Sequence, residues 1–232
     1  MVRMARAEVR VAHPEDLRGK RTSYQRPYTV VVKLPFPGQA LVGFIVAVSF
    51  AAGLNVYATV ATLGLLARAG VLELPDKLLM LSNWWVIGAS AALFAVEFFA
   101  DKVPVFDLVW NALHTFIRVP VAALLAYRAT SGLSPVAQLL ATLAGGLIAL
   151  AAHGGKTAVR AVITPSPEPV SNMLLSMGED VLSIGLTWLT AHHPVLASSI
   201  AAVFVLVVVL LIRWVWRALC RLFRGAEQVV RT

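Results

Sequence analysis

The sequence predicts an all-α membrane protein, a polytopic bundle of about six spans with possible broken helices and an inverted repeat. Three observations predict it. The 232 residues are 59% hydrophobic and 14% charged, with a mean hydropathy of +0.78, against about 45–50% apolar and about 25% charged in soluble domains. The apolar residues gather in runs long enough to cross a bilayer, for which about 20 residues are needed. The basic residues cluster outside those runs, where Lys and Arg mark the cytoplasmic side of a membrane.

Taken in order, residues 1–37 form a basic N-terminal segment punctuated by Pro14, Pro27, Pro35 and Pro37, and residues 38–219 form the transmembrane domain. The first run, 38–69, exceeds one span and is interrupted at Gly53-Leu54-Asn55. It reads either as one long tilted helix or as two pieces broken at Gly53. The second run, 84–100, opens on the interfacial pair Trp84-Trp85 and closes at the turn Asp101-Lys102-Val103-Pro104. The third is 105–129. The fourth, 136–163, contains Gly145-Gly146 and Gly154-Gly155. A linker with Pro165, Pro167 and Pro169 blocks continuous helix there. The fifth run, 170–191, ends at His192-His193-Pro194, and the sixth, 195–219, is the most purely apolar. A basic tail, 220–232, follows.

Six crossings put both termini on one side. Arg3, Arg6, Arg10, Arg18, Lys20, Arg21, Arg26 and Lys33 precede Gly38, and Arg213, Arg217, Arg221, Arg224 and Arg231 follow the last run. The expected location is therefore the bacterial cytoplasmic membrane with both termini inside and the tails on anionic headgroups. The net charge of +8 is accounted for by that surface, and nucleic acid is not an expected partner. Cys220 is the one cysteine, so an intramolecular disulfide is excluded. A polar first 37 residues and a long first run argue against a cleavable signal peptide.

Charge inside the apolar region is the informative feature. An ionised side chain at the centre of a span costs at least about 2.5–3.5 kcal/mol on insertion scales, so such groups persist when they pair, hydrate or work. Asp107, Asn111, His114 and Arg118 are spaced to share one helical face, as are Glu97 and Asp101, then His153, Lys156 and Arg160, then Asn172, Ser176, Glu179 and Asp180. Acids and bases nearly balance, which points to internal ion pairs rather than a pore lined by one sign. Asn55, beside the Gly53 interruption, marks backbone freed inside the membrane, a feature that often lines substrate sites. Close packing through small residues is the competing account of Gly53 and of Gly145-Gly146. The segments Ala51–Ala58 and Ala151–Ala158 are alike enough to raise an inverted repeat of three spans each.

Enzyme signatures are missing: no H-E-x-x-H helix, G-x-S-x-G elbow or Walker loop occurs. No cofactor is expected. Glu97, Asp101, His114, Glu179 and Asp180 include ligand types suited to a hard cation, but not in the spacing of a known metal motif.

Four blocks carry a family resemblance: GLNVYATVATLGLLAR (53–68), EFFADKVPVFDLVWNALHTFIRVP (97–120), HGGKTAVRAVITPSPEP (153–169) and NMLLSMGEDV (172–181). They resemble a family of small bacterial membrane proteins known as domain of unknown function 4126, over residues 41–189. The resemblance implies a polytopic membrane domain and supplies no activity.

The functional expectation is a small transporter or channel for a cation or protons, forming homo-oligomers. In it Glu97, Asp101, Asp107, His114 and Glu179 contact the ion, while Arg118, Lys156 and Arg160 are counter-charges. Asn111, Asp180 and Asn55 complete the polar lining. The alternative is a non-catalytic scaffold whose buried charges are structural. A third reading is a lipid-headgroup enzyme using Asp101, His153 and Glu168.

Overall fold

The computed structural model describes residues 38–100, 104–163 and 169–230; the N-terminal segment, the Asp101–Lys102 turn and the linker with Glu168 lie outside them. All regular structure among the described residues is helical: α1 Gly38–Leu54, α2 Val56–Arg68, a 3-10 helix Asp76–Ser82, α3 Trp84–Ala100, α4 Pro104–Ala129, α5 Pro135–Ile163, α6 Pro169–His192 and α7 Pro194–Val230. Prolines open α4, α5, α6 and α7, at the first helical position where their missing N–H costs nothing. Asn55 caps α2, and Gly70, in the left-handed region at φ 70°, turns the chain after it.

α1 is apolar on every face and is the central helix. From Gly43 to Leu54 every residue but Val46 is buried. A helix without a polar face belongs inside a bundle, and α4, α5, α6 and α7 all pack on it. Gly53 makes this possible: a Cβ there would lie 2.5 Å from the carbonyl oxygen of Ala149. It is a packing contact, and the chain breaks two residues later.

The first run does not cross the bundle. Leu41, Phe44 and Ile45 of α1 share one core cluster with Leu63 of α2, Leu78 and Leu81 of the 3-10 helix and Ala129 at the end of α4. Gly43 lies against Pro194, with a Cβ position 2.6 Å from that carbonyl. The start of α1 and the end of α2 are therefore at the same end of the bundle, here called upper, together with the α4–α5 and α6–α7 turns. α1 descends to Leu54, the chain reverses at Asn55, and α2 climbs back beside α3 and α6. The pair is a hairpin: of the two sequence readings, one long tilted helix or two pieces broken at Gly53, the second holds, with the break at Asn55.

Two expectations bear on this. By length and composition two helices among the described residues suffice to cross a membrane, Pro135–Arg160 and Pro194–Trp214, with a third if the 3-10 helix and α3, bent by 63°, count as one span. These are the helices of a membrane protein; they do not confirm six spans. Gly38 lies at the upper end and the last turns of α7 at the lower end, so the chain enters and leaves this domain at opposite ends. The inverted repeat fails at the segments that raised it. Ala51–Ala58 straddles the hairpin tip, whereas Ala151–Ala158 lies in unbroken α5.

The reversal sets a labelling pattern. In a Cys220→Ser background, a membrane-impermeant maleimide should reach Gln39→Cys and Lys77→Cys from the same side, and native Cys220 of the parent from the other. Labelling of Gln39→Cys and Cys220 from one side would contradict the hairpin.

Candidate functional site

The site is built from the hairpin tip downward. Asn55 has extended backbone (φ −147°, ψ 103°) and its side-chain oxygen accepts the N–H of Ala58 at 3.0 Å, capping α2. Its amide nitrogen donates to Oδ1 of Asp180 at 2.8 Å. An asparagine can do both because one end of its amide accepts while the other donates. The tip carbonyls are also covered. Ser183 Oγ donates toward the oxygens of Ala51 and Asn55, each at 3.1 Å. Thr59 Oγ1 donates to Asn55 O at 2.8 Å and lies 3.0 Å from Ser183 Oγ. Lys156 Nζ donates to Leu54 O at 3.4 Å. The negative end of α1 thus faces a cation, and the positive end of α2 faces the Asp180 carboxylate, each complementing the helix dipole.

Beneath the tip the charges form a chain of alternating sign. Arg118 Nη2 donates to Glu97 Oε1. Glu97 Oε1 is 3.8 Å from Lys156 Nζ, which is 3.0 Å from Glu179 Oε2. Glu179 Oε2 takes Arg160 Nη2 at 2.6 Å. The chain runs from α4 to α3 to α5 to α6 and back to α5. The side chains of Glu97, Arg118 and Lys156 are 0% exposed, and Arg160, Glu179 and Asp180 are buried. Among the described residues the chain holds three cations and two carboxylates, with Asp180, bonded to Asn55, as a third. Each ion loses several kcal/mol of hydration on burial, so every member needs its neighbours. Glu97 Oε2 meets no hydrogen-bond donor among the described residues.

Two histidines border the chain. Arg118 Nη1 lies 2.8 Å from His153 Nδ1. A guanidinium only donates, so Nδ1 carries the lone pair and Nε2, 2.7 Å from Thr115 Oγ1, carries the proton of the neutral ring. In His114, Nδ1 donates to Trp110 O at 2.7 Å, and Nε2 lies 3.0 Å from the Tyr57 hydroxyl. The His114 ring stacks on Trp110 at 4.3 Å.

Two clefts flank the cluster. The lower one, about 470 Å³, runs between α5, α6 and α7 from Phe50 and Phe204 to Trp216, with Lys156 and Glu179 on its floor. The upper one, about 400 Å³, lies between α2, α3 and α4, from Trp85 to Tyr57. Both walls are overwhelmingly apolar. Among the described residues these two clefts are apolar, and the charges pair with one another.

Of the residues singled out in the sequence, Asn55, Glu97, Arg118, Lys156, Arg160, Glu179 and Asp180 meet, and His114 and His153 stand beside them. Asp101 and Glu168 lie outside the described residues, as do the side chains of Asp107, Asn111 and Asn172. Among the described residues no three His, Cys, Asp or Glu side chains gather as a metal would require; Asp101 of the hard-cation grouping Glu97, Asp101, His114, Glu179 and Asp180 lies outside them. Sequence reading missed Tyr57, Thr59, Thr115 and Ser183. Tyr57 and Thr59 follow the capping Asn55 by two and four residues, a signal that an N-cap reading of Asn55 would have used.

A sequence profile for the family described as a domain of unknown function (DUF4126) matches residues 42–214. No curated protein and no solved structure matches the chain.

The tip geometry makes a stability prediction. Asn55→Ala should cost about 0.5–2 kcal/mol as a lost cap, plus about 1–3 kcal/mol for the donor taken from Asp180. Asn55→Asp keeps the cap oxygen but sets two carboxylates together, and should lower the detergent-solubilised Tm further than Ala does. An Asp variant as stable as the parent would refute the Asn55–Asp180 contact.

Proposed function

We propose that this chain, which belongs to the domain of unknown function 4126 family, is a small multi-pass transporter of the bacterial cytoplasmic membrane. It moves protons or a cation through the ion-pair cluster. The observation that carries this reading is the seating of a re-entrant hairpin tip on a buried chain of alternating charges. Discontinuous helices meeting charged side chains inside a bundle are the usual construction of transporter sites, and intramembrane ionisable residues are functional by default.

Energetics support it. Buried ion pairs are often replaceable by well-packed apolar residues with no loss of stability, so a six-member cluster is a poor device for stability alone. A proton is favoured over a hydrated ion because it passes between hydrogen-bonded groups without a water-filled void. Glu97 supplies an acceptor in Oε2. Protonating Glu179 would loosen its hold on Lys156 and Arg160, and with them the contact between Lys156 and the tip. The closed chain is then the occluded arrangement.

A second reading, a membrane scaffold with structural ion pairs, is favoured by the mutual pairing of the buried charges. A vesicle assay separates the two. In proteoliposomes holding a pH-sensitive dye, the parent should collapse an imposed pH gradient. The isosteric variants Glu97→Gln and Glu179→Gln should fall to the rate of protein-free vesicles while remaining folded. A parent with no flux, and Gln variants that only lower Tm, would support the scaffold and overturn the transporter.

A further inference from the structure

α3 is held to the bundle unevenly. Its upper end is fixed. Ile87 packs so closely on α2 that a Cβ on Gly64 would lie 2.7 Å from its Cγ1. Arg68 donates to the carbonyl of Ser82 at 3.2 Å, and its guanidinium lies over the Trp84 ring at 4.3 Å. Lower down the grip thins. Of the 17 residues of α3 only Ile87, Ser90, Glu97 and Ala100 are buried. The upper cleft, about 400 Å³, lies between α3 and its neighbours from Trp85 to Leu93. Below that gap Glu97 is fully buried and reaches Arg118 on α4 and Lys156 on α5. Among the described residues, the polar ties of the lower half of α3 to α4 and α5 pass through this one carboxylate.

The two glutamates of the ion chain are used differently. Glu179 Oε2 holds Lys156 at 3.0 Å and Arg160 at 2.6 Å, and its Oε1 takes Arg160 Nε at 3.5 Å. Both of its oxygens are engaged. Glu97 engages Oε1 alone; its Oε2 is buried with no donor among the described residues. An unmet buried acceptor is costly, and more so when charged. A hard metal ion is a poor occupant, because it wants about six oxygens or more, and this single oxygen sits beside two cations. A proton needs only the one.

We propose that Glu97 Oε2 is where the transported proton first binds, and that this proton unlatches the lower half of α3. This rests on the transporter reading above and deepens it, naming the carried species and the helix that answers to it. The step is a protonation: hydronium gives a proton to Oε2, an O–H bond forms and water leaves. Glu97 goes from charged to neutral. The cations stay where they are, because Arg118 keeps His153, and Lys156 keeps Glu179 and the Leu54 carbonyl. What weakens is their hold on α3, since a charge-assisted hydrogen bond becomes an ordinary one. The helix then swings on the 63° bend at its fixed upper end, where the cleft leaves room beside it. The titratable and charged groups about Glu97 are Arg118 on α4, Lys156 on α5, His153 behind Arg118, and Tyr57 on α2. Asp101, one turn further on, lies outside the described residues.

The test measures the distance between spin labels at Val96→Cys on α3 and Leu150→Cys on α5, both exposed, in the full chain with Cys220→Ser. The protein is held in vesicles at alkaline and at acid pH, with proton flux recorded on the same preparation. The parent should shift to longer distances on acidification. Glu97→Gln, neutral at every pH, should show the longer distance throughout, and Glu97→Asp should keep the pH response. A control pair at Leu150→Cys and Leu206→Cys, from α5 to α7, should not change. An infrared difference spectrum between the two pH values serves if Glu97→Gln does not fold: the protonated-carboxyl band of the parent should be displaced in Glu97→Asp. An α3 that stays put while protons flow would overturn the latch and leave the transporter standing. Movement of α3 without flux would support the latch and overturn the transporter, and absence of both would overturn both. A Glu97→Gln distance that still follows pH, or a band unaltered in Glu97→Asp, would overturn Glu97 as the proton site.

Discussion

At Asn55 the main chain turns back on itself inside a bundle, and the rest of the structure answers to that reversal. The last carbonyls of one helix and the first amides of the next are delivered together to a place where water is not available to satisfy them. Unpaired backbone groups there cost several kcal/mol each. The surrounding helices supply the partners: an asparagine that caps and donates at once, Ser183 and Thr59 on the carbonyls, a lysine at the negative end and an aspartate at the positive end. Placing Lys156 and Asp180 there then commits the neighbourhood to more charge. Lys156 draws Glu179 and Glu97, and these draw Arg160 and Arg118. The cluster is the consequence of a broken helix being satisfied by ions.

Much of the fold could be read in advance because proline and apolar run length punctuate it so clearly. α3, α4, α5 and α6 begin and end within about two residues of the predicted runs, since each start coincides with a Pro or a Trp pair. The reversal could not be read. Residues 38–69 are apolar on all sides of α1, so no periodicity reports which way the chain travels, and a long span and a tight hairpin share the same composition.

The site was legible residue by residue but not in its state. Helical spacing put Arg118 with His114, and Lys156 with Arg160, on common faces, and the near balance of acids and bases anticipated ion pairs. Spacing along one helix says nothing about the distance to another, so a water-filled interior and a closed chain of salt bridges looked alike. The neutral partners were hidden for a different reason. Tyr57, Thr115 and Ser183 are ordinary residues in apolar helices, and only their position opposite His114, His153 and the tip carbonyls gives them a role.

The central claim is that the ion pairs hold the hairpin tip in place, and that releasing them frees it. Hydrogen–deuterium exchange of the protein in lipid nanodiscs addresses this directly. Glu179→Gln should accelerate exchange of the amides in residues 51–59 while leaving the upper-end amides near Leu63 and Leu125 at the rate of the parent. Unchanged protection of the tip, or loss of protection spread evenly over the bundle, would contradict the account.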